Sequence, residues 1–250
     1  MTEAKWLAHT HRYTLRSLCD QIHFLGKQNR NRRRLRLFAS ACCRRMWDLL
    51  RLDVARKIVE LSEAHADGTV SGADLQAARD HPDLADMEAL LRGERGDRTQ
   101  FSARVIYAIE AAAFLAEPNF YSFNGGPSFV VQLTSHESAG DFLPEPGWYN
   151  GGQKWGVEFD EVELAVKAKL LHDIFGNPFR PVAFSPSWCS DTVLALASQM
   201  YESRDFSAMP ILGDALQDAG CNNADMLNHC RGEGPHVRGC WVVDLVLRKK

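Results

Sequence analysis

Leu35, Phe38, Cys42, Met46 and Leu49 recur three and four residues apart, which places them on one face of a helix. Arg33, Arg34, Arg36, Arg44 and Arg45 fill much of the remaining surface of that helix. The same period returns over residues 53–65 through Val54, Ile58 and Leu61, with Gly68 placed to end the element. Ser71 can cap a helix over residues 72–79, and His81-Pro82 then reads as a break. Residues 101–117, rich in Ala and carrying Val105, Ile109, Ala112 and Ala113 in register, predict a buried helix stopped by Pro118.

Periodicity fades between residues 119 and 156, where YSFNGGPSFVVQLTSHESAGDFLPEPGWYNGGQKWG is dense in Gly, Pro and aromatics. This stretch predicts a long irregular connection with one short strand at residues 129–133. Trp148, Tyr149 and Trp155 within it would line a pocket, cover a partner or pack on the helices. Helix resumes over residues 158–173, with Val162, Ala165, Val166, Lys169 and Leu170 on one largely apolar face, until FGNPFRP enforces a turn. Further helices are expected over residues 191–204, from Pro210 to Gly220, from Asn222 or Asn223 to Cys230, and over residues 237–247. The expected fold is mainly α, a bundle or array of about seven to nine helices. Its parts are an N-terminal helical part with a basic face (1–118), the connection (119–157) and a C-terminal helical part (158–250), together forming one compact unit.

At 250 residues and 45% hydrophobic content the chain can bury a full core without disulfides or an obligate metal. No apolar run approaches the roughly 20 residues of a membrane helix, and MTEAKWLAHTHRY lacks the plan of a signal peptide. Seven cysteines is an odd number, Cys42 and Cys43 are adjacent, and no paired C-x-x-C framework occurs. Reduced thiols in the cytoplasm are the expectation, and Cys42, on the apolar face, reads as a small core residue.

The net charge of −3 hides a basic N-terminus, since residues 1–50 hold eleven Lys and Arg against three Asp and Glu. The run NRNRRRLR could track a nucleic-acid backbone or meet an acidic protein through Arg32, Arg33 and Arg34. The plainer reading is a solvated helix face or a surface of intramolecular ion pairs, because no nucleic-acid-binding motif accompanies the charge.

Chemistry concentrates in HCRGEGPHVRGCWVVD, residues 229–244. As a metal site, Cys230, His236 and Cys240 could wrap zinc, with a fourth ligand from Cys221 or His229. The usual two-plus-two zinc spacing is missing, so no cofactor is expected. As an anion site, Arg231, His236 and Arg238, joined by Arg180, could hold a phosphate or carboxylate, helped by backbone N–H groups if a helix starts after Gly234-Pro235. As plain structure, the arginines bridge helix ends, the histidines are satisfied by carbonyls and Trp241 is core. No phosphate loop, G-x-S-x-G elbow or H-E-x-x-H motif is present, and His136-Glu137 lacks the second histidine.

LRLFASACCRRMW (35–47), FGNPFRPV (175–182), MPILGDALQDAGC (209–221) and HCRGEGPHVRGCWVVDLVL (229–247), with the opening MTEAKWL, resemble a paralogous bacterial family of planctomycete type. No activity, cofactor or catalytic residue is established for that family, so the resemblance implies no mechanism. The family pattern has a third cysteine where this chain has Ser40, which weakens a metal cluster at the N-terminal cysteines, and proline where it has Glu233. Residues 95–160 lie outside the match and would suit a partner-specific surface on a shared scaffold. The functional expectation is a cytoplasmic protein-interaction or ligand-binding module, or accessory subunit, that partners another protein and is not an enzyme. The alternatives are an enzyme or sensor for a small anion at Arg231, His236, Arg238 and Arg180, and a nucleic-acid-associated protein acting through Arg30 to Arg45.

Overall fold

The computed structural model describes residues 1–7, 15–91, 94, 96, 101–117, 120, 126–135 and 160–249, and among them the regular structure is helical with no strand. The described residues form thirteen α-helices: α1 (Glu3–Leu7), α2 (Leu15–Gly26), α3 (Arg32–Arg44), α4 (Asp53–Ala66), α5 (Gly72–Arg79), α6 (Pro82–Leu91), α7 (Ala103–Leu115), α8 (Gly126–Thr134), α9 (Glu161–Phe175), α10 (Asp191–Ser203), α11 (Met209–Asp218), α12 (Ala224–Arg231) and α13 (Trp241–Val246). The excess over the expected seven to nine comes from α1, α2, α6 and α8. In α6 proline is the first helical residue and in α8 the second. The sequence pattern reads Pro82 as a break, but the fixed φ and missing N–H of proline suit a first turn equally well. The expected strand at residues 129–133 is likewise the body of α8, with Val130, Val131 and Leu133 buried. Trp148, Tyr149 and Trp155 lie outside the described residues.

The chain divides into two compact units, one of residues His11–Ala165 and one of Met1–Thr10 with Val166–Lys250. In the first unit α3 is the central element, packed against α2, α4, α7 and α8. Leu35, Phe38, Cys42 and Met46 are buried as their spacing predicts, and Leu37, Ala39, Ala41 and Cys43 are buried too, because neighbours cover more than one face. Arg36 is consequently not on a solvated face: its Nη1 donates to Leu115 O at 2.6 Å and its guanidinium lies 4.7 Å from the centre of the Phe120 ring. Ser40 donates to Ser62 Oγ at 3.2 Å, bridging α3 and α4 through the core.

The basic face of α3 is largely paired within its own unit. Arg33 reaches Asp67 at 3.0 Å, Arg44 Nη2 reaches Glu63 Oε2 at 2.9 Å and Arg45 Nε reaches Glu163 Oε2 at 2.9 Å. Ser71 and Asp74 form a capping box that starts α5, and the turn after α4 passes through Gly68 at φ +72°, where a side chain would be strained. On α9 the expected apolar face is displaced: Val162 is 71% exposed, while Leu164, Ala168, Leu171 and Ile174 are buried.

The second unit is built on α10, α11, α12 and α13, whose buried residues include Val193, Met200, Leu212, Leu216, Met226 and Val243. Asn223 caps α12 by accepting from Met226 N at 3.0 Å, and Ser190 caps α10. Among the described residues no helix is long and apolar enough to cross a membrane. Arg33→Gln should reduce stability to denaturant by about 1.5–3 kcal/mol, because it removes a charge-assisted bond to an Asp67 side chain that is only 2% exposed. A purely solvated Arg33 would leave the unfolding midpoint unchanged.

Candidate metal centre

Three pieces of the second unit bring four side chains together. α9 carries Asp173 in its last turn, which closes through Gly176 N to His172 O at 2.8 Å with Gly176 at φ +59°. α12 carries His229 in its last turn. The segment after α12 turns through Gly234 (φ +77°) and Gly239 (φ +97°), both in the left-handed region that favours glycine, and so returns His236 and Cys240 to the same place. Cys240 immediately precedes α13.

The ligand atoms of Asp173, His229, His236 and Cys240 all lie within 4.8 Å of one another. Asp173 Oδ1 is 2.8 Å from His236 Nδ1 and 3.1 Å from His229 Nε2, and the same His229 nitrogen is 3.2 Å from Cys240 Sγ. Asp173 Oδ2 accepts from Val237 N–H at 2.9 Å. The imidazoles meet edge to face at 4.9 Å, and His229 also sits 5.3 Å from the Trp241 ring. His236 Nε2 is buried with no hydrogen-bond partner. The Asp173 side chain is 2% exposed, and Cys240 is fully buried.

Burial by itself would raise the Asp173 carboxyl, but hydrogen bonds from His229 and His236 and the field of the two rings hold it below its ordinary value. The Cys240 thiol is pushed well above its usual value by burial, with the Asp173 charge adding to the effect. The Asp173 carboxylate is thus a point of negative charge on which the His229 and His236 rings and the Cys240 thiol converge. A divalent ion in their midst would meet that negative charge directly. Zinc bonds of about 2.0–2.3 Å to N, O and S set tetrahedral ligand-to-ligand edges of about 3.4 Å. The separations of 2.8, 3.1 and 3.2 Å fall slightly short of that edge, and the remaining ligand atoms lie within 4.8 Å, so a bound ion would spread the first and draw in the others. Two imidazoles, a thiolate and a carboxylate form a mixed N/S/O set of the kind zinc accepts.

Of the residues expected from the sequence, His236 and Cys240 are in this cluster and so is His229, the expected source of a fourth ligand. Cys230 is not among its ligands: it is buried against α11, where a Cβ on Gly213 would lie 3.0 Å from Cys230 Cβ, and burial with the neighbouring Cys221 pushes its thiol up to about 12. The three arginines rest on separate partners. Arg231 donates to Asp214 at 2.7 Å and Gln217 at 2.6 Å, Arg180 pairs with Glu3, and Arg238 lies 4.5 Å from the Tyr201 ring centre. No helix begins after Gly234-Pro235, and the Val237 N–H belongs to Asp173. Asp173 is the residue that sequence reasoning missed. Its signal was an acidic side chain at helical spacing from the apolar Leu170, in a helix otherwise buried on that side.

No family model matches the chain, and no curated protein or solved structure matches it.

Gly176→Ala should destabilise the second unit by about 1–3 kcal/mol, because alanine is strained at φ +59° and its methyl would meet the Trp241 indole at 3.1 Å. Equilibrium denaturation checks this, and a change below about 0.5 kcal/mol would contradict the packing described.

Proposed function

We propose that this chain is a ligand-binding helical module whose ligand is one divalent ion of the zinc class, held by Asp173, His229, His236 and Cys240. The observation that carries the reading is the convergence of two imidazoles and a buried thiol on one buried carboxylate, with all four ligand atoms within 4.8 Å. A hydrogen-bonded cluster serving structure alone would not need a thiol in contact with an imidazole. The strings that carry the family resemblance support the same place: one contains His229, His236 and Cys240, and another begins two residues after Asp173.

Four protein ligands fill a tetrahedral shell and leave no position for a substrate. The ion on this reading is structural: it joins α9, α12 and the start of α13, and the chain remains a binding module and not an enzyme, with another protein as its partner. The anion alternative has less support, since a phosphate would have to displace Asp214 and Gln217 from Arg231 and Glu3 from Arg180. The nucleic-acid alternative is weakened in the same way by the pairing of Arg33, Arg44 and Arg45.

The purified protein, stripped with chelator and titrated with zinc, should bind one equivalent. Zinc at a thousandfold excess over Kd should stabilise the fold by about 4 kcal/mol. Cys240→Ser and His229→Ala should each weaken binding about 100-fold or more. Cobalt in place of zinc should show tetrahedral d–d bands and a sulfur-to-metal charge-transfer band that Cys240→Ser removes. Stoichiometric binding that survives Cys240→Ser and His229→Ala, or no binding by the wild-type chain, would overturn the assignment.

A further inference from the structure

The turn that carries Asp173 has a second set of contacts, all directed at α1. Trp6 is buried, its Nε1 donates to Gly176 O at 3.1 Å, and its ring lies 4.7 Å from His172. Glu3 accepts from Asn177 Nδ2 at 2.8 Å and pairs with Arg180. Trp241, which directly follows Cys240, packs on Gly176 from its own side. Residues 172–177 therefore sit between the metal cluster and the N-terminal helix, and Asp173 lies between residues that α1 holds.

We infer that loading of the ion controls the docking of α1, so that residues 3–7 are held on the second unit when the site is full and released when it is empty. The inference rests on the metal reading above and concerns what that site regulates. Two physical facts carry it. A helix of five residues has no stability of its own in water, so α1 exists only while docked. The last turn of a helix is where fraying begins, and the docking surface of α1 is that turn of α9 and the residues just beyond it. An ion bonded to Asp173 pins the turn to His229, His236 and Cys240, and so preserves the carbonyl and ring that Trp6 uses. Linkage makes the effect mutual: whatever factor zinc contributes to the docking of α1, the docking of α1 contributes to the affinity for zinc.

The test is hydrogen exchange at the backbone amides of Lys5, Trp6 and Leu7 in the full chain, with and without zinc, alongside zinc affinities of the wild type, Trp6→Ala and Glu3→Gln. Zinc should slow exchange at these amides about 5- to 100-fold, and Trp6→Ala should weaken zinc binding by a similar factor. Glu3→Gln, which touches neither the core nor a metal ligand, should weaken zinc binding by a smaller factor and guards against a Trp6→Ala chain that fails to fold. In His236→Ala, exchange at these amides should be fast whether or not zinc is added. Zinc binding with unchanged exchange at residues 5–7, or unchanged affinity in both Trp6→Ala and Glu3→Gln, would overturn this inference while leaving the metal site standing. Absence of zinc binding by the wild type would instead overturn the metal reading itself.

Discussion

The Asp173 carboxylate, buried and aimed at two imidazoles and a thiol, is the constraint around which the second unit is arranged. An ionised carboxylate cannot leave water unless donors or a cation surround it. That requirement dictates where the neighbouring chain must go. The last turn of α12 has to point His229 inward, the loop after it has to fold back far enough to bring His236 and the Val237 N–H into reach, and α13 has to start at Cys240. Gly234 and Gly239, both at positive φ, permit the two reversals. The glycine-rich look of the segment thus comes from the need to deliver three groups to one oxygen atom and its surroundings.

The first unit solves a similar problem without a cluster. Arg36 is buried within α3, and its charge is met by the Leu115 carbonyl and the face of Phe120. Arg33, Arg44 and Arg45 are matched to carboxylates on later elements of the same unit, so the basic N-terminal composition is used in joining helices. A reading by net charge sees a patch, whereas the fold supplies partners distant in sequence.

Much of the helical architecture was legible in the chain because its helices are amphipathic or Ala-rich and their ends carry caps: Ser71 starts α5, Asn223 starts α12, and Gly68 and Gly220 come after the ends of α4 and α11 at positive φ. The short helices entered through proline escaped, because there one residue serves equally as a stop for the preceding element and a start for the next. Three of the four side chains of the site were legible in the same local sense. His236 and Cys240 lie in one loop and could be paired by inspection, and His229 could be named beside them. Asp173 sits on another helix, with α10 and α11 between, and only the folded chain brings it to them. Cys230, near in sequence, is turned away by the helical geometry of α12, where adjacent residues cannot share a face.

The second unit is discontinuous, since its residues 1–10 and 166–250 flank the whole of the other unit in sequence. On the ribosome, His11–Ala165 can emerge and collapse while α1 has nothing to dock on, because Gly176 and Asn177 have not yet been made. Trp6 must then wait for those partners for the greater part of synthesis. The order of translation thus makes α1, the first of the described helices in sequence, among the last to find its place.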